Sequence, residues 1–324
     1  MEDVARLAGV SMVTVSRALN TPDKLAPKTL AAVKSAIKKL QYVHNQTAGS
    51  LASNRSRIIA AIVPTIASSI FSDTVDGLAK ALAPHRYQLL LGQSQYDVEE
   101  EARLIETFLG RRVDGLMLTG VDHARGVRAR LARAKLPVVE TWDFTRRPID
   151  MVVGFSNQAA GQAAAEYLIA KGYRRIAFLG GQDHRSMARL EGFKTALKSA
   201  GLADIVVLKA SSPSTLLDGS KALQALLAQE NHCDAVFCTN DMLAAGVIFE
   251  CQRQGILIPH QLAVMGFANL PIAAGIQPSL TSVQVHSTRM GQLAGEKLMA
   301  RLLGTTSPEL SHDLGFTVVE RAST

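Results

Sequence analysis

The clearest chemistry in this sequence lies in residues 11–20. Ser11-Met12-Val13-Thr14-Val15-Ser16-Arg17 opens an amphipathic helix with Val15, Ala18 and Leu19 on one face and Met12, Val13, Ser16, Arg17 and Asn20 on the other. An exposed apolar pair beside an arginine at a helix start suits base edges in a DNA major groove. Met12 and Val13 offer methyl contacts, and Arg17 fits guanine O6 and N7. Thr14, Ser16 and Asn20 stand where phosphate contacts fix register. A small helical packing module with a merely solvated Arg17 is the bland alternative. A second set of residues, Thr65, Gln93, Trp142, Ser156, Asp183, Asn240 and Asn269, follows short apolar runs. In doubly wound sheets, ligands bind beyond such strand ends. Gln93 and Gln95 open toward that region or lie on the surface; Trp142 is cleft wall or core. Enzyme signatures are absent: no P-loop, G-x-G-x-x-G, G-x-S-x-G or H-E-x-x-H occurs. His232-Cys233 with Cys238 lacks a fourth ligand at metal-site spacing. No catalytic residue, metal or cofactor is therefore expected.

The elements that would position these residues follow from the pattern. A helix over 3–8, a turn at Gly9-Val10-Ser11 and a helix over 11–19 form a helix-turn-helix. Small Ala5 admits the second helix, Gly9 takes the left-handed turn, Val10 plugs the joint and Ser11 caps the second helix. Pro27 opens a third helix over 28–40. Residues 41–57 are polar and read as a linker. From Ile58 apolar runs at 58–64, 87–92, 113–119, 136–142, 151–155, 175–180, 204–208, 235–239 and 262–267 alternate with helical stretches. Those stretches cover 72–84, 97–110, 157–171, 187–200, 214–229 and 241–255. Such alternation predicts an α/β fold of parallel sheets, in two lobes rather than one nine-stranded sheet.

Charge supports a division of labour. The chain has 324 residues with net charge +7, and residues 1–57 alone carry nine Lys/Arg against three acids. The rest is nearly neutral, at +1. A small basic head on a neutral body suggests nucleic acid as its partner. A membrane partner is not expected, because the head lacks a long amphipathic helix with bulky apolar residues. Three cysteines without a C-x-x-C pair point to a reducing compartment, and no secretory signal is recognisable, so a soluble, cytoplasmic, nucleoid-associated protein is expected.

Residues 3–20 carry Asp-Val-Ala-x-x-Ala-Gly-Val-Ser-x-x-Thr-Val-Ser-Arg-x-Leu-Asn, and in this they resemble the LacI/GalR family of bacterial repressors. The resemblance continues through Pro64, Gly154-Phe155-Ser156-Asn157, Thr239-Asn240-Asp241 and Pro278-Ser279-Leu280-Thr281-Ser282-Val283. Phe237-Cys238-Thr239-Asn240-Asp241, Phe249-Glu250-Cys251-Gln252-Arg253 and Asp313-Leu314-Gly315-Phe316-Thr317 look most like its gluconate-utilisation repressors. The resemblance implies a helix-turn-helix head over 1–41, a hinge over 42–57 and a two-lobed, periplasmic-binding-protein-like effector domain over 58–324. Its N-lobe would comprise about 58–155 and 284–313, and its C-lobe about 156–283 and 314–324.

On operator DNA the hinge would fold into a short helix, with Leu51 wedged into a base step beside Ala52, and Asn45 joining the DNA contacts. Two features depart from the family: Tyr42-Val43-His44-Asn45 lacks a usual proline, and Gly49 lowers helix propensity by up to ~1 kcal/mol relative to Ala. Helix 1 also starts almost at Met1, which suggests a late start. Matched effector contacts are Phe71, Arg189 and Asn240. Each has a plainer reading: core ring, solvated arginine and helix cap. Ser156 and Ala268 stand where the family often has acids, which makes the cleft more positive and favours an anionic sugar acid. The implied molecule is a homodimer on a pseudo-palindromic double-stranded operator, with 286–304 among its interfaces and sugar-acid binding weakening DNA affinity. The absence of a terminal leucine-heptad helix favours a dimer over a tetramer. A ketogluconate, phosphorylated sugar acid or neutral sugar is the alternative effector. A sugar-binding or sugar-processing α/β protein with an unrelated head is the alternative class.

Overall fold

The computed structural model describes residues 1–42, 55–67, 69–202, 205–228, 233–305 and 309–324. Asn45, Leu51 and Ala52 lie outside the described residues, as does the side chain of Asn20. The chain divides into two units, 1–56 and 57–324.

The first unit is helical: α1 (Glu2–Ala8), α2 (Met12–Asn20), a 3-10 turn (Pro22–Lys24) and α3 (Pro27–Lys39). Gly9 closes α1 in the left-handed conformation at φ 66°, and Val10 N–H returns to the Ala5 carbonyl at 3.0 Å. Val4, Ala5, Val15, Ala18, Val33 and Ala36 form the core, with Val10 packed against it. Ala5 on α1 and Ala18 on α2 keep side-chain bulk out of the joint between those helices.

The second unit begins with β1 (Ile58–Val63), α4 (Ser69–Leu82), β2 (Gln88–Gln93), α5 (Val98–Gly110), β3 (Gly115–Thr119), α6 (Val127–Ala134), β4 (Val138–Thr141) and β5 (Met151–Gly154). The chain then crosses into α7 (Asn157–Ala170), β6 (Ile176–Gly180), α8 (His184–Ser199), β7 (Val206–Lys209), α9 (Leu216–Leu227) and β8 (Ala235–Cys238). That lobe continues with α10 (Asp241–Gln254), β9 (Ala263–Ala268), α11 (Pro271–Gly275) and β10 (Thr281–Val285). Finally α12 (Ser287–Leu303) and β11 (Ser311–Asp313) return to the first lobe, and β12 (Phe316–Val319) to the second.

Two six-stranded sheets result, ordered β11-β5-β4-β3-β1-β2 and β12-β10-β9-β8-β6-β7. Every pairing is parallel except β12 against β10. This is the α/β, two-lobed arrangement that the sequence alternation predicts. Strands such as Ile58–Val63 are apolar throughout because helices cover both faces of their sheet. The helices α6, α11 and α12 and the strands β10 to β12 go beyond the sequence expectation. Only Val127 and Leu131 of α6 are buried, too few for an apolar period, and β10 buries Thr281 and Ser282 instead of an apolar run.

One close approach sets up the site. α7 and α8 touch backbone to backbone, and a Cβ on Gly192 would lie 1.8 Å from the Gln158 carbonyl oxygen. Glycine alone lets α8 approach α7 so nearly, and the polar first turns of α8 thereby face the gap between lobes. Among the described residues no helix is long and apolar enough to cross a membrane, and no group of side chains could hold a metal ion.

Candidate functional site

In the helical unit, Ser11 is extended and its Oγ accepts the Thr14 N–H at 3.2 Å, fixing the start of α2. That cap turns the opening residues outward: Met12 and Val13 are 53% and 60% exposed, and Arg17 is exposed on the same face. Thr14 is half-buried, with its hydroxyl 3.0 Å from Ser11 Oγ. Ser16 is half-buried. α2 thus presents two apolar side chains and a guanidinium without an intervening acid, which is the chemistry of a groove-reading helix.

Between the lobes of the second unit lies a pocket walled by Ile70, Phe71, Tyr96 and Trp142 on one side. Gly181, Asp183, Arg185, Arg189, Ser211, Ser212, Pro213, Ser214, Thr239 and Asn240 wall the other. Phe71 and Trp142 are both core and wall: each is almost fully buried, their ring centroids are 5.2 Å apart, and both border the pocket. Trp142 donates from Nε1 to Thr74 Oγ1 at 3.0 Å. Its carbonyl accepts Asn157 Nδ2 at 2.9 Å, and Asn157 Oδ1 in turn accepts from Arg189 Nη1. One hydrogen-bond chain therefore runs from a ring of the first lobe to a guanidinium of the second.

Arg189 is 8% exposed and lies over the Phe267 ring, 4.4 Å from its centroid. Burial pulls its pKa down to about 10; Asp183 opposes this and Arg185 adds to it. It stays charged at neutral pH, yet its buried Nε finds no hydrogen-bond partner. A buried, charged and under-satisfied guanidinium is an anion site in waiting. Arg185, one helical turn earlier, reaches across the gap. Its Nη1 donates to the Thr119 carbonyl at 3.3 Å, and it lies 5.6 Å and 5.7 Å from the Phe71 and Tyr96 ring centroids.

The other expected effector residues divide. Asn240 lines the pocket, but its amide is occupied: Oδ1 caps α10 at Leu243 N (2.8 Å) and Nδ2 donates to Ser214 Oγ (2.7 Å). Gln93 is not brought to the pocket; its Oε1 accepts the Ile66 N–H at 2.9 Å. Ser156 caps α7, accepting Ala159 N–H at 3.1 Å. Ala268 borders a separate hollow with Asp73, Asn269 and residues 284–289. The positive character of the pocket thus rests on Arg185 and Arg189 facing Asp183, rather than on lost acids at Ser156 and Ala268. Sequence reasoning missed Arg185, Tyr96 and the serines at 211, 212 and 214. The available signal was the i, i+4 spacing of Arg185 and Arg189 behind Asp183, which caps α8 through Ser186 N.

Residues 1–45 match the model of the bacterial regulatory proteins, lacI family, and 165–324 match a periplasmic binding protein-like domain. The HTH-type transcriptional regulator GntR of Pseudomonas aeruginosa is 36% identical over 100% of this chain and 95% of its own length. GntR of Escherichia coli (strain K12) is 33% identical over 98% and 96%. Among solved structures, a LacI-family transcriptional regulator from Silicibacter pomeroyi superposes with a TM-score of 0.91 at 32% identity, covering 99% of this chain and 98% of that one.

Proposed function

The chain belongs to the LacI family of bacterial regulatory proteins, and on that footing we propose that it is a homodimeric repressor that releases its operator when gluconate or a close sugar acid binds between its lobes. It is a transcriptional regulator and not an enzyme, as its relatives are. The carrying observation is the under-satisfied Arg189 beside Arg185: a carboxylate placed there would meet an open donor and, together with Asp183, balance two confined cations. The facing rings and the hydroxyls of Ser211, Ser212 and Ser214 suit the C–H and O–H groups of a polyol chain. In this reading the head pair reads two half-sites while 42–57 bridges them, and the ligand stabilises the low-affinity state through its better fit to that state.

A thermal-shift panel tests the effector: gluconate, 2-ketogluconate, 6-phosphogluconate, idonate, glucose, ribose and hypoxanthine. A ligand at about 100 times its Kd adds about 2.7 kcal/mol of stability. A shift confined to sugar acids supports the reading; a shift with a neutral sugar or purine alone removes it. For the head, Arg17→Ala is expected to weaken selected operator DNA by about 1–3 kcal/mol and to relax preference at one base pair.

A further inference from the structure

The near-neutral charge of the body conceals a polarised N-terminal lobe. In a parallel sheet all strands begin at one edge, and in this lobe five of those beginnings follow exposed cations. Arg57 precedes β1 and Arg86 comes two residues before β2. Arg111 and Arg112 lead into β3, and Lys135 into β4. Arg146 and Arg147 lead toward β5, and Arg128 holds their loop beside α6 by donating to the Arg147 and Pro148 carbonyls at 2.8 Å each. Of the acids at this edge, Asp114 accepts Arg57 N–H (3.0 Å) and Asp150 accepts Val138 N–H (3.3 Å) and pairs with Arg301, while exposed Glu309, ahead of β11, lies 3.1 Å from His312 Nδ1. Among the described residues, none of Arg86, Arg111, Arg112, Lys135, Arg146 and Arg147 forms an ion pair.

The backbone carries a second, independent observation. Arg86, Arg112 and Lys135 close their helical segments at φ 57°, 55° and 52°, a left-handed conformation that favours glycine. In the C-terminal lobe the corresponding positions after α7, α8 and α10 are Gly172, Gly201 and Gly255. Cations do suit helix C-termini. Both lobes have the same helix dipoles, however, and only one places long cations on strained backbone. The helix-end field therefore does not account for the difference.

We propose that this strand-leading edge of the N-terminal lobe is a second DNA-contact surface, seated on the phosphates of duplex flanking the operator. The proposal rests on the DNA-binding reading above. Duplex DNA is favoured over an acidic protein because the chain leaving the DNA-reading unit joins this lobe at this edge, through Arg57 to Ile58.

The test uses the full chain and a 40-base-pair duplex of random sequence, with affinity measured by anisotropy across a salt series. Each phosphate contact contributes about 0.9 to the slope of log K against log salt. The triple variant Arg86→Gly, Arg112→Gly, Lys135→Gly is expected to lower that slope by about two to three, with a melting temperature equal to or above the parent's, since glycine relieves the backbone. Arg111→Gln, Arg146→Gln, Arg147→Gln, which leaves the backbone alone, should give a similar loss and decides the matter if the first variant folds poorly. Parent-like slopes in a folded variant overturn the proposal while leaving the repressor reading intact. Failure of the parent to bind the duplex at low salt overturns both.

Discussion

The N-terminal lobe meets the cleft with rings, Phe71, Tyr96 and Trp142, whereas the C-terminal lobe meets it with guanidinium, carboxylate, hydroxyl and amide groups. The same fold thus supplies two incomplete halves of a binding site. Rings can cover the C–H face of a ligand but cannot orient it. Two arginines left open to water would bind a carboxylate weakly, because solvent screens them. Only with the lobes together does the charge act in a dry setting, so a ligand that needs both halves favours closure by its differential affinity. A further contrast runs through the lobe interiors. The C-terminal lobe centres on Phe178, Phe193 and Phe237, with Phe193 stacked on Phe237 at 5.3 Å. The N-terminal lobe buries an ionic cluster, His123 between Glu101 and Glu140.

That cluster offers the largest effect. His123 lies 2.6 Å from Glu101 through Nδ1 and 3.1 Å from Glu140 through Nε2, all three nearly excluded from water. Burial pulls its pKa down, but the hydrogen bonds and negative charges of the two carboxylates together outweigh burial and raise it from 6.5 to about 9. Both ring nitrogens therefore donate at neutral pH. Because the folded value lies above the unfolded one, this stability is fully present below about pH 6.5 and is lost as pH rises through about 9. His123→Ala strands two buried carboxylates and should cost about 3–5 kcal/mol. Denaturant unfolding at pH 6 and pH 10 checks both points: the parent should weaken at high pH and the variant should lack that slope. An alkaline loss that persists in the variant would place the titration elsewhere.

Next comes the charged half of the cleft. Arg189→Met keeps a long apolar stem over Phe267 but removes the charge, and charged hydrogen bonds contribute about 1.5–3 kcal/mol. Sugar-acid affinity should fall on the order of 10–100-fold by titration calorimetry, while any residual binding of neutral sugars stays unchanged. Its counterpart in the ring half is Trp142→Phe, which leaves Thr74 Oγ1 without its buried donor. The expected stability loss is about 1–3 kcal/mol, together with weaker binding of acids and neutral sugars alike. If Trp142→Phe proves selective for anions, the two halves are not chemically separate.

The sequence-to-structure differences follow the same division. The near-continuous apolar strands and the head were legible because their inward positions are apolar. α8 was legible only from residue 187, because its first turns bury Arg185, Ser186 and Arg189. An amphipathic period cannot register a helix whose inward face is polar. Arg185 was missed for that reason, though it lies four residues before an arginine that resemblance did single out. Likewise α12 sets Gly291 and Gly295 against α4, so close backbone packing interrupts an inward face that also buries Met290, Leu298 and Met299. The basic edge of the N-terminal lobe escaped notice because net charge averages over sequence, while a parallel sheet gathers its strand beginnings in space.

The smallest expected effect concerns Ser156, at the crossover between the lobes. Resemblance places this position among effector contacts, whereas its Oγ caps α7 at Ala159 N and it does not border the arginine pocket. Ser156→Ala should therefore reduce stability by about 1 kcal/mol, the usual loss for a helix cap, and leave sugar-acid affinity at the parent value. Calorimetric titration of a sugar acid into both proteins separates the two roles. A fall comparable to that of Arg189→Met would mean that Ser156 turns toward the ligand on closure. The polar half of the site would then extend onto the crossover itself, and the boundary between a ring-bearing lobe and a charge-bearing lobe would have to move to β5.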